Sequence, residues 1–288
     1  MNVNKPFCIR FCGITIRFTP KAQITLGKEL VDVMCEDCPN PQVEYEICPL
    51  TSPLRPTAAP INNNGTMIYP TEEGWLRIYP SVCKEDGCQV ACLLRSDGKN
   101  VLYYPASLWN YYTSPIKCAP LMGLETILIQ HHAMLLHSSV VQVNGKAVLF
   151  CGPSQIGKST QASLWEKYAD ADILNGDRCV IMEKDGCFYG GGSPLAGSSN
   201  IFRSEHFPIA GIFLLEKAEH NAISQVFASA LPALLSQTLV NSWDTAFMTE
   251  ITTLYQKLLT NVPIYKLQCK PDETAVHMAY QTLFGKEP

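Results

Sequence analysis

The run Gly152-Pro-Ser-Gln-Ile-Gly-Lys-Ser-Thr160 has the residue types and spacing of a loop that grips phosphate. It fits G-x-x-x-x-G-K-[ST], with Gly152, Gly157, Lys158 and Ser159 at the fixed positions. Glycines at those points let the backbone curl so that successive N–H groups face inward, where they bind phosphate oxygens. Pro153, Ser154, Gln155 and Ile156 form the body of that cradle. Lys158 brings a cation for the β- and γ-phosphates, and the Ser159 hydroxyl is a ligand for Mg2+. Thr160 is placed to cap the following helix or to touch the α-phosphate. The plain alternative is a glycine turn that happens to end in Lys-Ser-Thr. Local context argues against it, because the pattern needs a strand before it and a helix after it. Lys146-Ala-Val-Leu-Phe-Cys151 is an apolar, β-rich run ending directly at Gly152, and a helical stretch runs on to about Tyr168. ATP with Mg2+ is the expected ligand.

A metal-bound triphosphate also needs a carboxylate. Asp177, in Ile173-Leu-Asn-Gly-Asp177, stands at the end of the next expected strand, 19 residues past Lys158 with one helix between. In ordinary nucleoside triphosphatases with this loop the second acidic motif follows a long stretch, so the short spacing points to a different architecture. Further along, Gly190-Gly-Gly-Ser-Pro-Leu-Ala-Gly-Ser-Ser199 reads as a flexible loop by composition. It is either a plain surface loop or a flap presenting Ser198, Ser199 and Arg203 to phosphate; Arg203 is the candidate there for offsetting transition-state charge. His131 and His132 are neighbours in an expected helix, face different ways, and read as structural.

The elements around these residues divide the chain in two. About 115 residues of short apolar runs, Cys12-Gly-Ile-Thr-Ile-Arg-Phe18, Trp75-Leu-Arg-Ile-Tyr79 and Val101-Leu-Tyr-Tyr104 among them, predict a small β-rich domain over 1–118. Pro49 to Gly65, with its prolines and Asn62-Asn-Asn-Gly65, reads as a long turn-rich loop. From Leu121 a helical spacing carries the chain to His137, opening a second domain over 119–288. There the expected elements are a hairpin around Asn144-Gly145, the loop and its helix, a strand at Asp172–Asn175 and a hairpin at Asp185-Gly186. Beyond them come a buried strand at Ala210–Leu215, helices near 228–242 and 244–260, a strand at Pro263–Leu267 and a last helix from about Asp272.

Composition bounds the rest. Across 288 residues the chain is 47% apolar and 17% charged, the balance of a folded globular protein. A net charge of −4 offers no basic field, so neither nucleic acid nor a membrane is an expected partner. Arg10 and Arg17 interrupt any apolar leader, which with the lack of a membrane span makes a cytoplasmic setting the expectation. Thirteen cysteines, an odd number, then read as reduced thiols. Cys35-Glu-Asp-Cys38 has the spacing of half a zinc site, with Cys48, Cys83, Cys88 and Cys92 as completing ligands, but no second close pair matches it.

The short spacing, the hairpin and His137 upstream together resemble the kinase domain of the HPr kinase/phosphorylase family, which shares its fold with the PEP carboxykinases. The family's pattern of a His opening a strand, a hairpin, a GxSGxGKS loop and an Asp-Asp-Arg strand end corresponds here to His137, Gly152–Ser159 and Gly176-Asp177-Arg178. The likeness is close from His137 to the early 180s and loose beyond. Asn175-Gly-Asp-Arg178, Gly192-Ser-Pro194 and Val262-Pro-Ile-Tyr265 are similar to a bacterial group of uncharacterised HPr-kinase-related proteins.

The resemblance implies an α/β, PEP carboxykinase-like domain with a mixed sheet and helices. It further implies a Mg·ATP-dependent kinase acting on a Ser-type hydroxyl of a peptide, protein or small metabolite, and a homo-oligomer. Lys158, Asp177 and His137 are its catalytic set, and Ser159 and Asp177 its metal ligands. Two departures qualify this. Gly176 stands where the family has its first Asp, the base, so Asp177 serves both purposes or His137 takes the proton. The family's Glu-Ile-Arg-Gly-Leu-Gly signature is absent from 195–220, which argues against HPr itself as acceptor. A module that binds ATP without catalysis, and a zinc or redox protein using the N-terminal cysteines, are the other function classes in play.

Overall fold

The computed structural model describes residues 1–11, 13–26, 31, 34–35, 38, 40–63, 65–79, 89–105, 122–193, 195, 197 and 201–288. The chain forms two compact units, Met1–Ile127 with Asn241–Asp244, and Leu128–Val240 with Thr245–Pro288. The division thus falls at Ile127, past the expected residue 118, and four residues from the C-terminal half belong to the first unit.

In the first unit the strands are β1 (Asn2–Val3), β2 (Phe7–Phe11), β3 (Ile14–Pro20), β4 (Ile24–Thr25), β5 (Met34–Cys35), β6 (Val43–Pro49), β7 (Ile61–Asn63), β8 (Thr66–Thr71), β9 (Gly74–Tyr79), β10 (Val90–Arg95) and β11 (Lys99–Tyr104). Nine of them make one sheet in the order β5-β2-β3-β6-β11-β10-β9-β8-β7, antiparallel except where β6 pairs parallel with β3 and β11. The expected loop over Pro49–Gly65 holds β7 at its end, because Ile61 pairs with the fully buried Ile68 of β8. Alternation explains the burial: Val43, Tyr45 and Ile47 of β6 face the core while Glu44 and Glu46 do not. Phe18 lies between the rings of Phe7 and Tyr45, with centroids 5.1 and 5.6 Å away. Helix α1 (Leu124–Gln130) begins in this unit. Its buried Glu125 meets buried Arg77 at 2.5 Å, and Arg77 also donates to Thr126 and to Asn241. Such a pair is tolerated inside because the guanidinium hydrogen-bonds several acceptors at once.

The second unit holds β12 (Ala133–Val143), β13 (Lys146–Cys151), α2 (Lys158–Tyr168), β14 (Asp172–Asn175), β15 (Arg178–Lys184), β16 (Cys187–Gly192), β17 (His206–Lys217), β18 (Ala222–Val226), α3 (Leu231–Ser236), α4 (Thr245–Asn261), β19 (Ile264–Cys269) and α5 (Glu273–Phe284). It is a mixed α/β structure. Strands β13, β17 and β19 run parallel and the other pairings are antiparallel. Successive residues of β13 point into two different cores: Ala147, Leu149 and Cys151 toward the side of α4, Val148 and Phe150 toward the side of α2 and α5. A strand buried on both faces has to be apolar throughout, which is why this run shows no alternation in the sequence.

Strand β12 is the pivot. Its first half, Ala133–His137, pairs with β15, and its second half, Ser138–Val143, pairs with β13, while Val140–Gln142 also pair with β14. The sheet therefore divides at His137 and Ser138. The expected helix from Leu121 to His137 ends at Gln130, and His137 lies in mid-strand. Ala133-Met-Leu-Leu136 is buried at every position, and a left-handed turn at His132 (φ 52°) separates it from the helix. His131 and His132 form that turn and are not on the helix. The Asn144-Gly145 and Asp185-Gly186 turns both have positive φ at each residue, as a two-residue hairpin demands. The expected helix over 228–242 is a short 3-10 turn and then α3, ending at Ser236.

Candidate functional site

Strand β13 delivers the chain into the loop and α2 takes it out, so the motif sits in the order its mechanism requires. Gly152 (φ 152°) and Gly157 (φ 117°) occupy conformations that favour glycine. Gln155 does the same with a side chain (φ 63°), at a cost of roughly 1–2 kcal/mol. Helix α2 starts with no side-chain cap, which leaves the N–H groups of its first turn to an external acceptor. The buried Lys158 folds back over the loop, its Nζ donating to the carbonyls of Gly152 and Pro153 at 3.0 Å each. Burial pushes its pKa down, while the neighbouring Cys151 and Asp177 push it up. Ser139 Oγ donates to Lys158 O at 2.7 Å, pinning the first turn of α2 to β12. Ser154, Gln155, Ser159 and Thr160 are exposed, and Pro153 with them; Ile156 is half-buried.

The turn between β14 and β15 carries Gly176 and Asp177, and the division of the sheet brings that turn beside His137. Asp177 Oδ1 lies 3.2 Å from His137 Nε2, and Oδ2 lies 3.6 Å from Arg178 Nε. Asp177 is held below the ordinary carboxylate range, first by the His137 hydrogen bond and then by the charges of Arg178, His137 and Lys158. The turn is built by Asn175, which is fully buried. Its Oδ1 accepts from the backbone N–H groups of Asp177 (2.7 Å) and Arg178 (2.8 Å), and its Nδ2 donates to Ser193 O (2.8 Å). An Asn bonding its own backbone two residues on is an Asx turn, and this one presents the aspartate outward.

Three residues outside the expected catalytic and metal-binding set therefore shape the site. Arg178 is the cation beside Asp177, and Asn175 aims it. Gly197 (φ 60°) packs so close that a Cβ there would stand 2.5 Å from Asp177 Cβ. Asn175 and Arg178 could have been found from the Asn-x-Asp-Arg string itself. Gly197 carried no signal beyond its place in a glycine-rich run.

That run is not a flap over its first part. Gly190–Gly192 end β16 and are buried. Their glycines reflect close packing: a Cβ at Gly192 would come within 2.0 Å of Arg203 O, and one at Gly190 within 3.0 Å of Leu149 Cδ1. Pro194, Ser198 and Ser199 lie outside the described residues. Arg203 is placed elsewhere. Its Nη1 donates to Asp172 Oδ1 at 2.9 Å, at the start of β14, whereas Asp177 follows the end of that strand.

Beside the loop a cleft of about 410 Å3 opens at the carboxyl ends of β17 and β19, lined by Gln155, Thr160, Gln161, Lys217 and Lys270 among others. A crevice past the carboxyl ends of parallel strands is where open α/β sheets bind ligands. Among the described residues no group of three or more His, Cys, Asp or Glu is arranged to hold a metal, and no helix is long and apolar enough to cross a membrane. Cys83 and Cys88 lie outside the described residues.

No protein-family model and no curated protein matches this sequence. Among solved structures the chain is similar to the Hpr(Ser) kinase/phosphatase from Coxiella burnetii, with a TM-score of 0.31 and 13% identity over 52% of this chain and 93% of that one. At that score the likeness carries no argument about this chain.

Proposed function

We propose that the second unit is a Mg·ATP-dependent phosphotransferase that acts on a hydroxyl group of a peptide, a protein or a small metabolite. One observation carries this reading: Asp177, ionised and bound to His137 and Arg178, lies within electrostatic reach of Lys158 in the Gly152–Thr160 loop. The residues fit the groups they would receive. Backbone N–H groups between Gly152 and Thr160 would hold the phosphates, apart from Pro153, which has none, and Ile156, which donates to Pro153 O, and Lys158 would exchange its two carbonyl partners for phosphate oxygens. The cleft beside Gln155 and Thr160 takes the nucleoside.

Ser159 and Asp177 would hold Mg2+, which usually takes only one or two protein ligands and completes its shell with phosphates and water. When bound it offsets charge on the transferred phosphoryl group. Asp177 also faces the acceptor: as the hydroxyl oxygen bonds to the γ-phosphorus and the bond to ADP breaks, the hydroxyl proton passes to this carboxylate. His137 and Arg178 hold the carboxylate in place, and Asn175 fixes the turn that carries it. Since phosphoryl transfer depends chiefly on positioning and charge neutralisation, one carboxylate in place of two slows it without forbidding it.

Gly176 favours a second reading, a module that binds ATP to order a partner surface and transfers nothing. Labelled ATP offered with serine peptides and small alcohols separates the two, since the module would hold nucleotide and label no acceptor. Both readings need the loop. In a thermal-shift assay at about 100-fold excess over Kd, Mg·ATP should stabilise the protein by about 2.7 kcal/mol, and Lys158→Ala should remove most of that. Equal protection of the variant and the parent would end the nucleotide reading.

A further inference from the structure

The first unit carries a cluster that the phosphotransferase reading leaves unused. Strand β5 is an edge of the nine-stranded sheet and pairs with β2 so that Cys35 lies opposite Cys8. Cys38 returns over the same point, its backbone N–H donating to Cys8 Sγ at 3.4 Å. Burial pushes the Cys35 pKa up first, and the neighbouring Cys38 and Cys8 push it further in the same direction, while Arg10 pulls it down. Arg10, on β2, is fixed by Nε donating to Thr15 Oγ1 at 3.1 Å, and its Nη2 donates to Cys38 Sγ at 3.3 Å. Cys8 is fully buried, whereas Cys35 and Cys38 are partly exposed, and none of the three is in a disulfide. Two partly exposed cysteines at C-x-x-C spacing, both placed against Cys8 and one with a guanidinium on its sulfur, suit exchange better than simple packing.

We propose that Cys35 and Cys38 are a reversible dithiol–disulfide pair, with Cys38 the sulfur that attacks an incoming small-molecule disulfide such as oxidised glutathione. In the first step the Cys38 thiolate attacks one sulfur of that disulfide; a mixed disulfide forms, the S–S bond of the oxidant breaks, and one thiolate leaves and is protonated. Cys35 then loses its proton and attacks Cys38 Sγ, closing the Cys35–Cys38 bond and releasing the second thiol. Two electrons pass from the protein to the oxidant. Arg10 steadies negative charge on Cys38 Sγ when that sulfur attacks the oxidant, and again when a reductant attacks Cys35 Sγ and releases Cys38. Cys8 supplies the buried floor on which Cys38 rests and takes no part in the exchange.

The full-length protein is equilibrated with reduced and oxidised glutathione at a series of ratios, quenched by alkylation and mapped by peptide mass spectrometry. A Cys35–Cys38 crosslink should appear as the ratio becomes oxidising and vanish on return to reduced glutathione. Arg10→Gln should slow mixed-disulfide formation at Cys38 by roughly three- to tenfold, with Arg10→Lys restoring most of the rate. Cys8→Ser should still form the crosslink. Mapping on the parent protein alone decides the pairing, so a variant that fails to fold leaves the test intact. Both thiols remaining alkylatable under oxidising ratios, a crosslink to Cys8, or stoichiometric zinc shielding the pair would each overturn the proposal. An unchanged rate in Arg10→Gln would overturn the assignment of Cys38 as attacker.

Discussion

Two aspartate–arginine pairs flank β14, and only one of them has the makings of a site. At the start of the strand Asp172 meets Arg203 at 2.9 Å, with side chains 56% and 46% exposed. Past its end Asp177 meets Arg178 at 3.6 Å, the longer contact, but with side chains 34% and 33% exposed and with His137 at 3.2 Å as a second partner. Contact distance is thus the poorer guide. What separates the pairs is how many charges converge on one carboxylate and how far water is kept from it, because screening weakens an exposed pair however well its atoms meet.

The first way to break this comparison is to neutralise the carboxylate at the converging end. Asp177→Asn should lower phosphoryl transfer by roughly 10²–10⁴-fold, the range over which a positioned acid–base group acts. The pH dependence has a definite sign. Folding lowers the Asp177 pKa, so the ionised form and the stability it confers are fully present above the ordinary carboxylate value of 3.8 and are lost as pH falls through the lowered one. Denaturation midpoints of the parent should fall along that acid limb, and in Asp177→Asn that component should be missing. Transfer within tenfold of the parent would show that the convergence at Asp177 is structural.

A milder disturbance moves the carboxylate without removing it. Gly197→Ala puts a methyl group 2.5 Å from Asp177 Cβ on a backbone at φ 60°, so the loop or the aspartate must shift. A displacement of about 1 Å at a reacting group is enough for a loss of 10- to 100-fold in rate. Nucleotide protection in the thermal-shift assay should survive, since the three atoms nearest the added methyl all belong to Asp177 and none to the loop or Lys158. Loss of both together would mean that the substitution unfolds the unit.

The sequence makes local features legible and convergent ones not. The loop, the Asn144-Gly145 and Asp185-Gly186 turns, the strand at Asp172–Asn175 and the start of α5 at Asp272 each depend on a few adjacent residues with particular backbone needs, and such needs are written in residue type. The helix drawn through to His137 fails because Ala133-Met-Leu-Leu136 is buried on both faces, and a run with no alternation fits helix or buried strand equally well. Gly190–Gly192 read as loop because glycine signals freedom, but here it signals backbone passing within contact distance. Arg178 over Arg203 is a matter of which end of β14 meets His137, and that follows from β12 changing partners at its middle. No periodicity within one segment encodes a change of partner.

The smallest expected effect tests that last point from the other end of the strand. Arg203→Ala removes an exposed pair, of a kind that contributes between nothing and about 1 kcal/mol, so the unfolding midpoint should hardly move. The backbone of residue 203 keeps its own attachment, N–H to Leu174 O at 2.9 Å, and therefore keeps its place beside β14. Transfer should stay within about twofold of the parent, the scale of a surface substitution. A loss of tenfold or more at unchanged stability would mean that the guanidinium leaves Asp172 when substrate binds and acts on the phosphoryl group. The contrast between the two ends of β14 would then describe only the state without substrate.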